Sequence, residues 1–217
     1  MSWHLEKINP ANGEQMHQLV DLYCYRIWGS EDSFGEYKQC PNCKRYFSEE
    51  KVANLRLTQC PDCQIELEDA WKPTEVENDV HGQLQKAGAV GFIALSEKVI
   101  IGFAWTYFIT PDEIQKHWGQ SLTAKLLQLA ADQPIVYFDE LGVEKSWRRR
   151  KIGTALVKAC LSQYYNKRDD PLIFLRTHQK SPALRLYISI GLEVFTDDTE
   201  YGQGRVLLAK HLSKLRI

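Results

Sequence analysis

The stretch from Ile135 to Cys160, IVYFDELGVEKSWRRRKIGTALVKAC, constrains the fold more than any other part of the chain. Ile135 to Val143 is an apolar run in strand rhythm. A short polar turn and an arginine cluster follow, and then Ile152, Ala155, Leu156, Ala159 and Cys160 recur at helical spacing. The pattern predicts strand, tight turn, helix. In such a join the first-turn amides of the helix lack an intrahelical acceptor and point into the turn with the helix dipole behind them, so they offer donors to an anion. Gly153 lets a ligand approach the backbone closely. An arginine-rich turn with one glycine also describes a plain solvated helix start, so this stretch alone leaves both readings open.

A second feature is a pair of CxxC turns, Cys40-Pro41-Asn42-Cys43 and Cys60-Pro61-Asp62-Cys63, separated by residues 44–59. That spacing falls within the range of a four-cysteine zinc site. Each turn can place two thiolates on one side of a metal, and together they close a tetrahedron with no open position, so the expected Zn2+ is structural. Tyr46, Phe47, Val52, Leu55 and Leu57 supply little apolar area between the turns. Metal binding is therefore expected to provide much of the module's folding free energy. The turns resemble the knuckles of a zinc ribbon. The competing reading, two redox-active dithiols, lacks the βαβ context in which such motifs occur singly.

Composition fits one full domain with a small satellite: 217 residues, 44% hydrophobic and 25% charged. Of the six cysteines, four serve the metal, and Cys24 and Cys160 fall on apolar helix faces as buried thiols. With 27 Lys plus Arg against 28 Asp plus Glu, nothing global argues for nucleic acid, although Lys145 to Lys151 is locally basic. The start MSWHLEKINP has no apolar h-region, and no run reaches the ~18 apolar residues of a membrane span. A cytoplasmic protein without a membrane partner is expected.

In chain order, Trp3 to Ile8 alternates as a first strand. A helix follows, capped by Asn12 with Gln15 three residues on and stopped by Gly29. After the cysteine module, Thr74 and Glu77 form a capping box for a helix through Val76, Val80, Leu84 and Ala87, closed by Gly88. Ala89 to Leu95 and Val99 to Phe108 read as an antiparallel hairpin around Ser96-Glu97-Lys98. Thr110-Pro111-Asp112-Glu113 opens a helical excursion to about Ala131. Beyond the central strand and helix come a buried strand, Leu172 to Arg176, and a helix opened by Ser181-Pro182 and closed by Gly191. Leu192 to Phe195 and Arg205 to Ala209 make a final hairpin around the polar loop 196–204.

Two motifs in this succession resemble those of the GNAT superfamily of N-acetyltransferases. Arg148-Arg149-Arg150-Lys151-Ile152-Gly153 is similar to the family's acyl-coenzyme A loop, Gln/Arg-x-x-Gly-x-Gly/Ala. Arg148 and Gly153 match, Val143 falls five residues before Arg148 as in the family, and Lys151 replaces the first glycine. Ser181 to Leu192 resembles Asn-x-x-Ala-x-x-Leu-Tyr-x-x-x-Gly-Phe: Ala183, Leu186, Tyr187 and Gly191 match, while Lys180 and Leu192 depart. The resemblance implies an α/β (α+β) fold with a mixed, mostly antiparallel central sheet and helices on both faces. Residues 1–36 and 69–217 would form the GNAT-like domain, and residues 37–68 an inserted zinc-ribbon-like module.

The implied reaction is transfer of an acetyl group from acetyl-CoA to a primary amine of an unidentified small-molecule or protein acceptor. The resemblance assigns the diphosphate to the amides of Arg149, Arg150, Lys151, Ile152, Gly153 and Thr154, with the side chains of Arg148 to Lys151 as helpers. It assigns the pantetheine arm to backbone groups of Leu141, Gly142 and Val143, unpaired where the strand parts from its neighbour. Tyr187 stands at the family's general-acid position. Asp139 is the candidate base, because Tyr137, Asp139, Leu141 and Val143 share one face of an ideal strand; a bulge would exchange Asp139 with Glu140. Structural salt bridging is the competing role for either carboxylate. The zinc module shapes acceptor access, docks a protein partner, or is scaffold. A different class of function also fits: a degenerate domain that senses acyl-CoA, or binds protein or RNA through the ribbon. The RNA version is weakened because Lys44, Arg45, Lys51 and Arg56 are offset by Glu49, Glu50, Asp62 and Glu66.

Overall fold

The computed structural model describes residues 2–28, 36–165, 169–197 and 204–217. The expected helix stop at Gly29 and most of the loop 196–204 lie outside the described residues. Strand β1 (His4–Lys7) leads into α1 (Gly13–Asp21), where the Asn12 side chain accepts the Gln15 amide at 3.1 Å. The helix continues as a π-helical segment, Leu22–Ile27, which buries Tyr23, Cys24 and Ile27.

Next come β2 (Lys38–Gln39), β3 (Tyr46–Phe47), α2 (Glu49–Leu55) and β4 (Glu68–Asp69). The three strands form their own small sheet in the order β3-β2-β4. Its core is small: Cys40, Phe47, Cys60 and Leu67, with Val52, Leu57 and Cys63 against them. Leu55 and Tyr46, expected to contribute, are 60% and 45% exposed.

Helix α3 (Pro73–Leu84) corrects the expected capping box. Lys72 is its N-cap with no side-chain cap bond, and Pro73 occupies the first turn, where its fixed φ suits a helix and its missing N–H costs nothing. Strands β5 (Val90–Ser96) and β6 (Val99–Phe108) form the expected hairpin. Helix α4 (Pro111–Ala130) starts with a reciprocal capping box between Thr110 and Glu113. Gly119 breaks α4 internally with φ 77° and ψ 170°, a conformation essentially reserved for glycine.

Strand β7 (Ile135–Val143) leads through a short 3-10 turn, Lys145–Trp147, into α5 (Ile152–Ser162). Then follow β8 (Leu172–His178), α6 (Pro182–Ser189, capped by Ser181), β9 (Glu193–Asp197) and β10 (Arg205–His211). The main sheet has seven strands in the order β1-β5-β6-β7-β8-β10-β9. Only β7 and β8, joined by the α5 crossover, pair in parallel.

Two apolar layers cover the sheet. On one face α1, α3 and α4 pack Leu19, Val80, Ile114 and Leu126 against Phe103, Trp105, Tyr137 and Phe174. On the other, α5 and α6 pack Leu156, Cys160 and Tyr187 against Ala104, Val136, Phe138 and Leu175. No helix among the described residues is long and apolar enough to cross a membrane.

Candidate active site

The site begins where the centre of the sheet comes apart. β7 and β8 are in register from Ile135 opposite Leu172 to Tyr137 opposite Phe174, and the pairing ends there. β7 runs on to Val143 along β6 alone, while β8 stays paired to β10 through His178. The β8-side backbone groups of residues 138–143 therefore face an open seam.

A bulge controls which side chains line it. Trp105 of β6 lies opposite Glu140, but the adjacent Thr106 lies opposite Phe138, so Asp139 has no partner on β6. The extra residue corrects the ideal-strand alternation. Asp139 stays on the α3/α4 face with Tyr137, and Glu140 joins it instead of pointing away. Leu141 and Val143 turn to the α5/α6 face. Gly142 backs onto the Phe103 ring so closely that an added Cβ would meet Cζ at 2.5 Å.

The two carboxylates sit half-buried among aromatic rings. The Tyr107 hydroxyl donates to Asp139 Oδ2 at 3.1 Å, and the Tyr23 hydroxyl donates to Glu140 Oε1 at 2.9 Å. Burial raises both acids: Asp139 to about 6, opposed by its hydrogen bond from Tyr107 and by Arg176, and Glu140 to about 8, helped by the charge of Asp139. Tyr187 is 5% exposed, with its ring edge-on to Phe138 at 5.9 Å. Burial, then the charge of Glu140, holds its phenol well above the ordinary range.

At the far end of β7 the turn into α5 places Arg149 and Lys151 in the left-handed region, at φ 64° and 63°. Lys151 thus adopts the glycine-like conformation of the position it occupies, at a cost of about 1–2 kcal/mol for an L-residue. Among the described residues, no backbone acceptor takes the amides of residues 149–154; the first bonded one is Ala155, to Lys151. The Arg148 Nε donates to the Val143 carbonyl at 3.0 Å and pins the loop to the strand. Arg150, expected beside the cofactor, instead stacks on Trp147 at 4.6 Å and is not in the pocket lining.

Three cavities connect these parts. One of about 660 Å³ is lined by Leu141, Gly142, Val143, Arg148, Arg149, Lys151, Ile152, Gly153 and Thr154, with Trp28 and the start of α6 opposite. A small junction of about 110 Å³ shares Leu141, Ser181 and Ala183 with it and adds Asp139, Glu140, Tyr187, Trp71 and Arg176. A third, of about 500 Å³, opens from the junction at Tyr137, Asp139 and Arg176 toward α3 and α4. The three cavities thus adjoin through shared lining residues, from the α5 corner, past Tyr187 and the carboxylates, to the α3/α4 face of the sheet. Nothing in the sequence marks Trp71; Arg176 is visible there only as the charge that ends the apolar run Leu172 to Leu175, and Glu140 as the carboxylate that a bulge would exchange with Asp139.

The cysteine turns form a separate centre. Cys40, Cys43, Cys60 and Cys63 bring their sulfurs within 4.8 Å of one another. The two turns repeat one backbone design: the Cys40 and Cys60 amides donate to Arg45 and Ile65, and Lys44 and Gln64 turn at φ 59° and 57° to donate back. Cys43 and Cys60 Sγ lie 3.8 Å apart, matching the about 3.8 Å edge of a tetrahedron built from Zn–S bonds of ~2.3 Å. The donor set fits zinc.

The sheet is thus parted at its centre, with unaccepted amides at one end of the gap and half-buried acids at the other. The model of the acetyltransferase (GNAT) family matches residues 50–191, and the chain belongs to that family. Among curated proteins none matches this sequence. Among solved structures the fold is similar to PH1933 from Pyrococcus horikoshii OT3 (18% identity, covering 97% of this chain and 98% of that one, TM-score 0.57). It is similar to the PaiA N-acetyltransferase from Thermoplasma acidophilum in complex with coenzyme A (14%, 97% and 99%, 0.57). It is also similar to Arabidopsis thaliana NAA60 in complex with a bisubstrate analogue (16%, 97% and 99%, 0.54).

Proposed function

We propose that the protein is an N-acetyltransferase that moves the acetyl group of acetyl-CoA to a primary amine. The observation that carries this reading is the open β7/β8 seam, with unaccepted amides at the α5 corner and Tyr187, Asp139 and Glu140 together at the adjoining junction. The amides of residues 149–154 would hold the diphosphate at the start of α5, with Arg148, Arg149 and Lys151 adding charge. The open edge of Leu141 to Val143 would bond the pantetheine arm and bring the thioester to the junction.

There the amine nitrogen attacks the thioester carbonyl carbon, the C–N bond forms and the C–S bond breaks. Asp139, ionised above about pH 6, takes the amine proton, directly or through water. Glu140 remains largely protonated near neutrality, so only one of the paired acids carries charge. The phenol of Tyr187 is protonated at any working pH and donates to the departing thiolate, whose proton affinity rises in the same desolvated seam. A domain that only sensed acyl-CoA would have no use for two acids buried at the thioester.

Release of coenzyme A thiol on addition of an amine panel tests the reading. Tyr187→Phe keeps the ring and its Phe138 contact, so it is expected to fold with unchanged melting temperature. Its kcat should fall by about 100-fold or more. Unchanged kcat at saturating acetyl-CoA would remove Tyr187 from the mechanism.

We also propose that Zn2+ held by Cys40, Cys43, Cys60 and Cys63 is structural and fixes the module that flanks the junction. Glu36 and Trp71, on either side of the module, both line that junction, and Glu36 is ion-paired to Arg205.

A further inference from the structure

The outer cavity, between α3 and α4, has a character the reaction alone does not require. Its inner end is Asp139, where an amine must arrive. Its walls are the rings of Tyr107, Tyr137 and Trp118. Two permanent cations face into it. Lys86, two residues past α3, stands 4.0 Å over the Tyr107 ring, with one N–H held by Glu113 at 2.8 Å, which fixes its head group and leaves two donors. Arg176 of β8 lies in the lining between Asp139 and the α4 wall.

Trp118 contributes its ring to this wall and is only 7% exposed, with its indole N–H buried and not at the cavity surface. The neighbouring His117 is exposed at the rim, and burial together with Lys116 and Lys86 lowers its pKa. It adds no further permanent charge there. Asp79 lies exposed at the rim.

Resting on the acetyltransferase reading above, we infer that the acceptor is a small molecule carrying an anionic oxygen group, carboxylate or phosphate, as well as its primary amine. The amine meets Asp139, and the anion lies in the outer cavity against Lys86 and Arg176. A cavity of about 500 Å³ accommodates such a molecule. The wall that supplies Trp118 is α4, the helical excursion between β6 and β7.

The test is a comparison of kcat/KM for β-alanine, 2-aminoethyl phosphate, propylamine and a short peptide with a free N-terminus, at saturating acetyl-CoA. At least one of the two anionic amines is expected to exceed propylamine by about tenfold or more, as for a charge-assisted hydrogen bond. Which of the two leads identifies the anion. Lys86→Gln should collapse that preference without changing KM for acetyl-CoA. Arg176→Gln should narrow it as well, with melting temperatures confirming both folds. Equal or better turnover of propylamine or the peptide overturns the inference and leaves acetyl transfer standing, as does a preference that survives in both variants. If no amine is turned over, the acetyltransferase reading falls and takes the inference with it.

Discussion

Asp139 and Glu140 are adjacent in sequence, and in a regular strand they would face opposite ways. One unpaired residue in the ladder puts both on the same side, half-buried, and burial lifts both pKa values. For activity, the base must be ionised, so kcat/KM should climb as pH rises through about 6, and Asp139→Asn should lose or displace that limb. An unchanged limb in the variant excludes Asp139 as the base. For stability the sign is opposite. A carboxyl whose folded pKa lies above its unfolded value near ~4.3 binds its proton more tightly in the native state. That contribution is complete below the unfolded pKa and is lost as pH rises toward about 8 for Glu140. Glu140→Gln should therefore melt higher than the parent at pH 8, by about 2–4 °C for each 1 kcal/mol of burial cost removed, with the gap closing toward pH 4. A variant that melts lower at pH 8 would show that the carboxylate stabilises its surroundings.

At the scale of elements, the proposed zinc makes the cysteine module the part that would depend on something outside the chain. Its described core is four residues with three more packed against them, too little for an independent fold without the metal. One zinc per chain by atomic absorption is expected. Chelation, or Cys60→Ser, should unfold β2 to β4 and raise KM for the amine more than KM for acetyl-CoA, because Glu36 and Trp71 border the junction and not the α5 corner. Equal effects on both would make the module plain scaffold. These elements also show what a single sequence discloses. The Thr110 box, the Ser181 cap and the β5/β6 hairpin were legible because their signals are local and unopposed. Thr74 misled because Pro73 beside it begins a helix just as well, and Lys72 takes the cap position while pairing with Glu68 and Glu75. Gly119 reads as one tolerable glycine inside a helical pattern, yet its φ divides α4. A bulge at Asp139 was open in the sequence as an alternative, but whether it forms is set by the register between β7 and β6, which no local signal carries.

For the whole molecule, the feature of widest reach is that the cavity at α5 and the cavity at α3/α4 lie on opposite faces of one sheet and each adjoins the junction at its open seam. Donor and acceptor can then be bound together, with direct transfer between them. Initial-rate plots at several fixed amine concentrations should give intersecting lines; parallel lines would indicate an acetylated enzyme intermediate and contradict direct attack. The same arrangement divides the labour between two kinds of atom. In the proposed reaction the donor side would rely largely on main-chain groups, which every residue carries, so replacements along it would leave the grip mostly intact. The acceptor side consists of side chains on α3, α4 and β8, where each exchange rewrites what is admitted. A catalyst built this way can be retargeted by exchanging a few outer residues while its thioester chemistry is inherited whole.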